Sequence, residues 1–490
     1  MVNGQSSKNM SSKKALSNPL TYLIVQEILI LAFLTRIHGI RGEIVGDWRA
    51  YINFDWGSFG ALLSQTRTFG YHLLLRVVGG LFDDLTLLPQ VQILLFLISV
   101  LLFYQSLTVY GFSKWGAFVA ASALIYQRTL WDLAAGTYSD VPGLSFAFIA
   151  IASLFRIAAG KGSVGSWFGV AVGTFLAYQM RPAYLFLIGL VPVLGVILSF
   201  VREPGVHGLS RGWRKLFACL LIASIVPFLA FASFRLMVVG HFGLVSYGSL
   251  MLSGITTQFM TKPMVERFDA DLRPLATAII ESRDRNGLAP PEGHRMWPLV
   301  DYCAIFARTL THVVIPTTLK HLPEVGPRDE SEARAVSSIT TAESMPLDDV
   351  SRRLAVATIR ARPFAYLLYC VKSFAYQISF TLYVNATISL LFLGLFAAHL
   401  YVALQESIVP TRSQVAFACE VQPPTENVGP LVFLSGLFFL ANVLLITIAA
   451  PPDGRYLLAA STFIPSALAV GLWQEVRRAC LVSRRPPDIT

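Results

Sequence analysis

Residues Leu431–Ala450 read LVFLSGLFFLANVLLITIAA and contain no charged side chain. As a helix, about 20 apolar residues cross a hydrocarbon core of roughly 30 Å. Four further runs have the same character: Val91–Tyr104, Ala183–Phe200, Leu216–Ala232 and Ile388–Leu404. The sequence therefore predicts an all-α, multi-pass integral membrane protein.

The composition excludes an ordinary soluble enzyme. Of 490 residues, 54% are hydrophobic and 14% are charged, whereas a soluble domain carries about 25% charged residues. The net charge of +10 does not indicate a nucleic-acid partner, because membrane proteins collect lysine and arginine in their cytoplasmic loops. The five cysteines are far apart and form no CxxC pair, which argues against a zinc site or a disulfide framework.

We place ten membrane spans, near residues 20–38, 90–110, 115–130, 141–157, 165–180, 183–201, 215–240, 385–405, 429–449 and 456–474. The apolar stretch 363–383 contains Lys372 and several tyrosines, which are common at membrane interfaces. An eleventh span there would move Arg477, Arg478 and the arginines after them to the far side, against the tendency of positive charge to stay in the cytoplasm. We therefore expect this stretch to lie flat in the interface, with both termini cytoplasmic.

This topology divides the chain into five parts. A cytoplasmic tail (1–20) precedes an N-terminal transmembrane module (21–240), whose first external loop covers 39–89. A large external loop (241–362) follows, and its last part reads as a helix. The interfacial helix and the C-terminal transmembrane helices occupy 363–474, and a second cytoplasmic tail occupies 475–490.

Ionisable side chains from four separate loops meet on the non-cytoplasmic face under this topology. The main ones are Asp47 and Arg67, Arg128 and Asp140, Arg181, and Arg455. Such residues near membrane depth are costly and normally mark a site. Arginine binds phosphate through a planar fork of donors, and a nearby carboxylate can accept a proton from an attacking hydroxyl. The pattern indicates a pocket for a lipid phosphate.

Four motifs then follow in order along the chain. Gly46–Asp47 precedes Tyr51, and the run TRTFGYHLLL contains Arg67 and Tyr71. Met180–Arg181–Pro182 ends a span, and Gly454–Arg455–Tyr456–Leu457–Leu458 opens a late one. Together they resemble polytopic glycosyltransferases of the GT-C fold, especially bacterial protein O-mannosyltransferases and aminoarabinose transferases. Phe69 and His72 stand where that family has prolines.

The resemblance implies a specific chemistry. Such enzymes move a sugar from a polyprenyl-phosphate-linked donor to an acceptor lipid, glycan or protein at the non-cytoplasmic face. Asp47 would be the catalytic base and Asp140 a second catalytic carboxylate, with Arg181 and Arg455 holding the donor phosphate. The residues expected to orient the substrates are Arg67, Tyr51, Tyr71, Arg128 and Tyr456.

Several alternatives stay open at this stage. A transporter or flippase of lipid-linked saccharides also needs arginines and an amphipathic cavity, and an inactive relative that only binds lipid carriers fits the motif changes. The need for a divalent metal ion is undecided by the sequence. The histidines of the large loop, His241 among them, lack metal-ligand spacing and are expected to be solvated. The bacterial inner membrane is preferred to the endoplasmic reticulum as the location.

Overall fold

The computed structural model describes residues 18–37, 56–64, 67–82, 85–202, 209–245, 248–290, 299–322, 341–408, 427–451 and 454–483. Every regular element in these ranges is helical, which confirms the all-α fold. The helices of the first half are α1 (Pro19–Ala32), α2 (Phe59–Ser64), α3 (Phe69–Phe82), α4 (Leu88–Tyr110), α5 (Lys114–Ile125), α6 (Arg128–Ala135), α7 (Asp140–Ala158), α8 (Val164–Met180), α9 (Leu187–Arg202) and α10 (Leu209–Val239).

The second half continues with shorter helices and then long ones. They are α11 (Gly248–Thr256), α12 (Lys262–Val265), α13 (Arg273–Arg285), α14 (Leu299–Thr309), α15 (Ile315–His321), α16 (Thr341–Ala361), α17 (Pro363–Val384), α18 (Ala386–Ile408), α19 (Gly429–Ala449), α20 (Gly454–Ala460) and α21 (Ile464–Ser483).

Seven helical segments in the described residues are long and apolar enough to cross a membrane: Pro19–Arg36, Leu88–Tyr110, Asp140–Ala158, Pro182–Arg202, Gly212–Val239, Ala386–Leu404 and Gly429–Ala449. All seven correspond to predicted spans, so the protein is a multi-pass membrane protein. The other three predicted spans are less clear because α5 has 12 residues, α8 has 17, and α21 ends in charged turns. The count of ten stays a prediction.

The stretch expected to lie flat is α17, which follows a sharp bend. The segments Pro346–Ala361 and Pro363–Leu382 meet at 99° and form one bent apolar pair, giving an eighth candidate span. The bend falls at Arg362, directly before a proline, where the helical conformation is sterically disfavoured. The orientation of α17 relative to a membrane stays a prediction.

The core of the membrane bundle forms around α7. This helix packs on α4, α8 and α9, and most of its residues are buried. The ring of Phe463, between α20 and α21, lies 4.5 Å from Phe148 of α7 and 4.9 Å from Phe438 of α19, measured between centroids. The buried Gln127 side chain donates to the carbonyl of Thr462 at 2.8 Å. These contacts fix the short helix α20 against the start of α6.

Small residues bring α8 close to α7. Gly169 and Gly173 form a GxxxG pair, a motif that lets membrane helices approach closely. A Cβ at Gly173 would lie 2.8 Å from the backbone nitrogen of Ala150, and one at Gly169 would lie 2.2 Å from Oγ of Ser153. On these two helices Asp140 is the first residue of α7 and Arg181 directly follows α8.

Replacing Gly173 with alanine is expected to lower the free energy of unfolding by about 1–3 kcal/mol, because the new methyl group meets backbone and forces α7 and α8 apart. The measurement is thermal unfolding in detergent. Gly436→Ala is the matched control, since that helical glycine of α19 has no atom within 4 Å of its Cβ position. Equal stability of the two variants would contradict the close approach.

The predicted large loop is a folded helical lobe as far as it is described, from α11 to α16. Its core joins Phe259, Phe306 and Leu347 in one cluster, and Ile279 and Leu354 in another. On its surface Arg353 donates to Asp271 at 2.5 Å, and this bond lowers the pKa of the Asp271 carboxyl. The helix expected at 347–362 is present as α16, but the helices before it were not foreseen.

Candidate functional site

Asp140 and Arg181 meet where α7 begins and α8 ends. Asp140 is the first residue of α7, where the helix dipole favours a negative charge. Arg181 caps the end of α8 in an extended conformation, which turns its side chain back toward α7. Its Nη1 forms an ion pair with Oδ2 of Asp140. The carboxylate is 1% exposed and the arginine 8%, so the pair is buried.

Tyr456 completes this group from the opposite end of the chain. The guanidinium carbon of Arg181 lies over the Tyr456 ring, 4.6 Å from its centroid. A cation held over an aromatic face gains about 0.5–2 kcal/mol, more as water is excluded. Two of the predicted site residues, Asp140 and Tyr456, are therefore joined through a third, Arg181.

A cavity of about 310 Å³ opens beside this group. This is the size of a small ligand pocket. Its lining residues come from the membrane helices and from the first helix of the lobe: Arg67, Thr68, Ser139, Met180, Arg181, Pro182, Ala183, Leu185, Val245, Gly248, Met251, Leu445, Ile446, Ala449, Ala450 and Tyr456. Arginines occupy one part of the wall and apolar side chains most of the rest.

Two arginines give one part of the cavity a positive charge. Arg67 and Arg181 both line it, and Arg181 forms an ion pair with the carboxylate of Asp140. Because Arg181 has five donors, its pairing with Asp140 leaves further N–H groups for a ligand.

Hydroxyl groups of α17 fix the apolar wall. The last carbonyls of a helix have no partner within it, and α17 supplies donors to two carbonyls at the end of α19. The hydroxyl of Tyr366 donates to the carbonyl of Ile448 at 2.8 Å, and that of Tyr369 donates to Ala450 at 3.1 Å. Gln377 also donates to Oγ1 of Thr447 at 2.8 Å. These hydrogen bonds hold α17 against the end of α19.

The remaining predicted residues are placed less fully. Asp47 and Tyr51 lie outside the described residues. Arg128 is the first residue of α6 and Arg455 the second residue of α20, and only their backbone is described. Tyr71 is fully buried and packs with hydrophobic neighbours such as Val78 and Leu88. The structure gives Tyr71 a place in the core and not in the cavity wall.

Asp140 lies next to the cavity but is not one of its lining residues. Among the described residues, those lining the cavity include its neighbours Ser139 and Arg181 but not Asp140 itself. Its carboxylate lies behind Arg181 and holds it. Sequence reasoning missed Thr68, Ser139 and the α19 residues of the wall. Thr68 lies inside the TRTFGYHLLL run without being singled out there, and the others carry no charge or motif that marks them in the sequence.

Side chains that commonly bind metal ions do not form a cluster in the described residues. Within the described ranges, no group of three or more histidine, cysteine, aspartate or glutamate side chains could hold a metal ion. Comparison with protein-family models, with curated proteins and with solved structures found no match to this chain.

Proposed function

We propose that this protein is a membrane glycosyltransferase that transfers a sugar from a polyprenyl-phosphate-linked donor to an acceptor hydroxyl. The observation that supports it best is the cavity, where a buried arginine held by Asp140 and Tyr456 adjoins a largely apolar wall. A prenyl phosphate has the complementary form, with one anionic group attached to a long apolar chain.

The phosphate would bind at Arg181 and Arg67. A sugar linked through one phosphate to a prenyl chain is a phosphodiester with one negative charge, which suits a wall that contains two arginines. The fork of donors on arginine suits two phosphate oxygens at once. Arg455 directly precedes Tyr456 in α20, so its side chain is a further candidate for the same group.

The prenyl chain would run along the apolar part of the wall. Leu445, Ile446 and Ala449 of α19 line the cavity together with Met180 and Leu185. Burial of apolar surface stabilises a bound chain by about 25 cal/mol per Å². The hydrogen bonds between α17 and the end of α19 would keep this wall in place.

The chemistry would be a single displacement at the anomeric carbon. Asp47 takes the proton of the acceptor hydroxyl, whose oxygen forms a bond to the anomeric carbon. The bond from that carbon to the phosphate oxygen breaks, with inversion, and both electrons leave with the prenyl phosphate. Arg181 and Arg455 stabilise the charge that develops on the phosphate. Asp140 positions Arg181 and does not touch the reacting atoms.

The location follows from the same proposal. The chain would lie in a bacterial inner membrane with its site on the non-cytoplasmic face, where it meets membrane lipids and a lipid, glycan or protein acceptor. The number of spans would be about ten, as in a GT-C bundle.

The test of function uses Asp47. In proteoliposomes supplied with a panel of polyprenyl-phosphate sugars and acceptors, wild type should release free polyprenyl phosphate. Asp47→Asn should reduce this turnover about 10²–10⁴-fold, the range of general base catalysis, and keep carrier binding. Asp349→Asn is the control, since Asp349 pairs with Arg352 on the lobe surface, where both are exposed.

A transporter would behave differently in the same vesicles. It would move labelled donor across the bilayer without releasing free carrier phosphate, and Asp47→Asn would leave that movement unchanged. This outcome would contradict the enzyme and support a flippase.

A further inference from the structure

The helix α3 contacts the end of α8 and the start of α4. At its beginning, a Cβ on Gly70 would come within 2.6 Å of the carbonyl oxygen of Gln179, in the last turn of α8. Closer to its other end, Val78 shares a buried cluster with Met180, the last residue of α8, and Leu88, the first residue of α4.

Both of these helix ends lie at the cavity end of the membrane bundle. Near the start of α4, Gln92 donates to the carbonyls of Ala134 and Gly136 at 3.1 and 3.3 Å, shortly before α7 begins. The start of α7 is joined to the end of α8 by the ion pair of Asp140 and Arg181. Because α3 contacts two elements at one end of the bundle, it runs across that end and not along the spans.

The length of α3 agrees with this placement. It has 14 residues, and at 1.5 Å per residue it is about 21 Å long. The hydrocarbon core of a bilayer is roughly 30 Å thick. The helix is therefore apolar but too short to cross the membrane by itself.

The two faces of α3 have different surroundings. Leu75 and Val78 are buried against the bundle. The outward face carries a stripe of apolar side chains at every fourth position, Leu73, Val77 and Leu81, which are 45%, 48% and 70% exposed. Exposure of such a stripe to water is unfavourable, and a contiguous exposed apolar surface normally marks a contact with a partner or a membrane.

The side chains that border this stripe are typical of a membrane interface. Arg76 is also exposed, and its guanidinium carbon lies 4.8 Å from the centroid of the Trp56 ring. Tryptophan is enriched at membrane–water interfaces, and arginine lays its stem along apolar surface while its charged head stays in the polar layer. The helix contains no acidic residue, and Asp83 and Asp84 come after its end.

We propose that the outward face of α3 binds the phospholipid leaflet on the cavity side. The stripe of Leu73, Val77 and Leu81, here called the interface anchor, lies at the boundary between headgroups and acyl chains, with Arg76 at the lipid phosphates. An amphipathic helix in the plane of the interface has this arrangement. The bilayer is the occupant because α3 lies at the end of helices that are long and apolar enough to span it.

The interface anchor also determines the level of the cavity. Arg67 and Thr68, which line the cavity, are the two residues directly before α3. An anchored α3 keeps them close to the depth of the lipid phosphates. A lipid-linked donor could then bring its phosphate to Arg67 within the plane of the headgroups, a consequence that rests on the proposed function. The interface anchor itself depends only on the geometry of α3.

The test is photo-crosslinking of the full-length protein in nanodiscs of phosphatidylcholine and phosphatidylglycerol. The photoreactive residue p-benzoylphenylalanine replaces Leu81 in one variant and Val77 in a second. A Cβ at the neighbouring Gly80 would meet no atom within 4 Å, so the added ring has room. The excited ketone takes a hydrogen from a nearby C–H bond and the two carbon radicals join. Mass spectrometry of the intact protein therefore detects the protein plus one intact phospholipid.

Two further positions serve as controls for the same label. Phe392 is 59% exposed in the candidate span Ala386–Leu404, so a label there should contact lipid. Glu266 lies beside Arg267 and Asp269 on an exposed, charged surface of the lobe, so a label there should contact water.

Labels at Leu81 and Val77 should form phospholipid adducts, as at Phe392, and the adduct should be lost at Glu266. Equal adduct formation at Leu81 and Glu266, whether present or absent, overturns the proposal. A crosslink from Leu81 to another part of this chain or to a second copy, in place of lipid, overturns it as well.

A second readout separates this proposal from the proposed function. Retention of polyprenyl phosphate by the wild-type protein is followed by native mass spectrometry. If Leu81 labels phospholipid but polyprenyl phosphate is not retained, the interface anchor stands and the proposed function fails. If polyprenyl phosphate is retained but Leu81 labels no phospholipid, the interface anchor is wrong.

Discussion

Replacing Asp140 with alanine is expected to lower the free energy of unfolding by about 3–5 kcal/mol, the cost of leaving one partner of a buried ion pair alone. Arg181 is 8% exposed and would lose its only ion-pair partner among the described residues, since Tyr456 offers a ring face and no charge. The measurement is chemical unfolding in detergent, with ligand absent.

The double variant Asp140→Leu, Arg181→Met is the control for this expectation. Replacing a whole buried pair with apolar groups of similar volume is often neutral or stabilising, so the double variant should be more stable than Asp140→Ala. A double-mutant cycle of Asp140→Leu, Arg181→Met and the double variant then gives the coupling energy of the pair. Additive effects of the two single changes would show that Asp140 and Arg181 do not depend on each other.

Replacing Arg181 with alanine is expected to weaken binding of polyprenyl phosphate about 10–100-fold. A hydrogen bond to a charged group contributes about 1.5–3 kcal/mol, and each 1.4 kcal/mol is a factor of ten in affinity. The effect is large because the guanidinium is buried beside an apolar wall, where a phosphate has little water to replace it. Asp140→Asn should weaken binding less, since Arg181 keeps its charge and loses only the ion pair that positions it.

The membrane fold could be predicted from sequence because apolar runs of about 20 residues have few alternatives to a spanning helix. The run Leu431–Ala450 is an example, since it becomes α19. The predicted topology also indicated Asp140, Arg181 and Tyr456, because it places all three on the same face of the membrane. The structure brings these three into contact.

What could not be predicted depends on contacts between distant segments. His241 was expected to be solvated, but it contacts Arg235, six residues away, and Asp348, more than 100 residues away. Tyr71 is buried among Val78, Leu88 and Met180, and its expected role in orienting the substrate stays a prediction. No local pattern distinguishes these outcomes, because burial by a remote helix leaves no periodic signal of its own.

The helical lobe was missed for a related reason. Its helices α11 to α15 have between 4 and 13 residues, and short helices are stabilised by tertiary packing more than by their own propensity. Only α16, with 21 residues, was long enough to be recognised in part from its sequence.

The most direct test of the phosphate-binding cavity is native mass spectrometry of the detergent-purified protein with polyprenyl phosphate, the product shared by the proposed reactions. Wild type and the control Arg352→Ala, which removes an exposed arginine of the lobe, should retain the lipid. Arg181→Ala and Arg455→Ala should lose it. Equal retention by all four proteins, or retention by none, would contradict the assignment of this cavity to a lipid-linked phosphate.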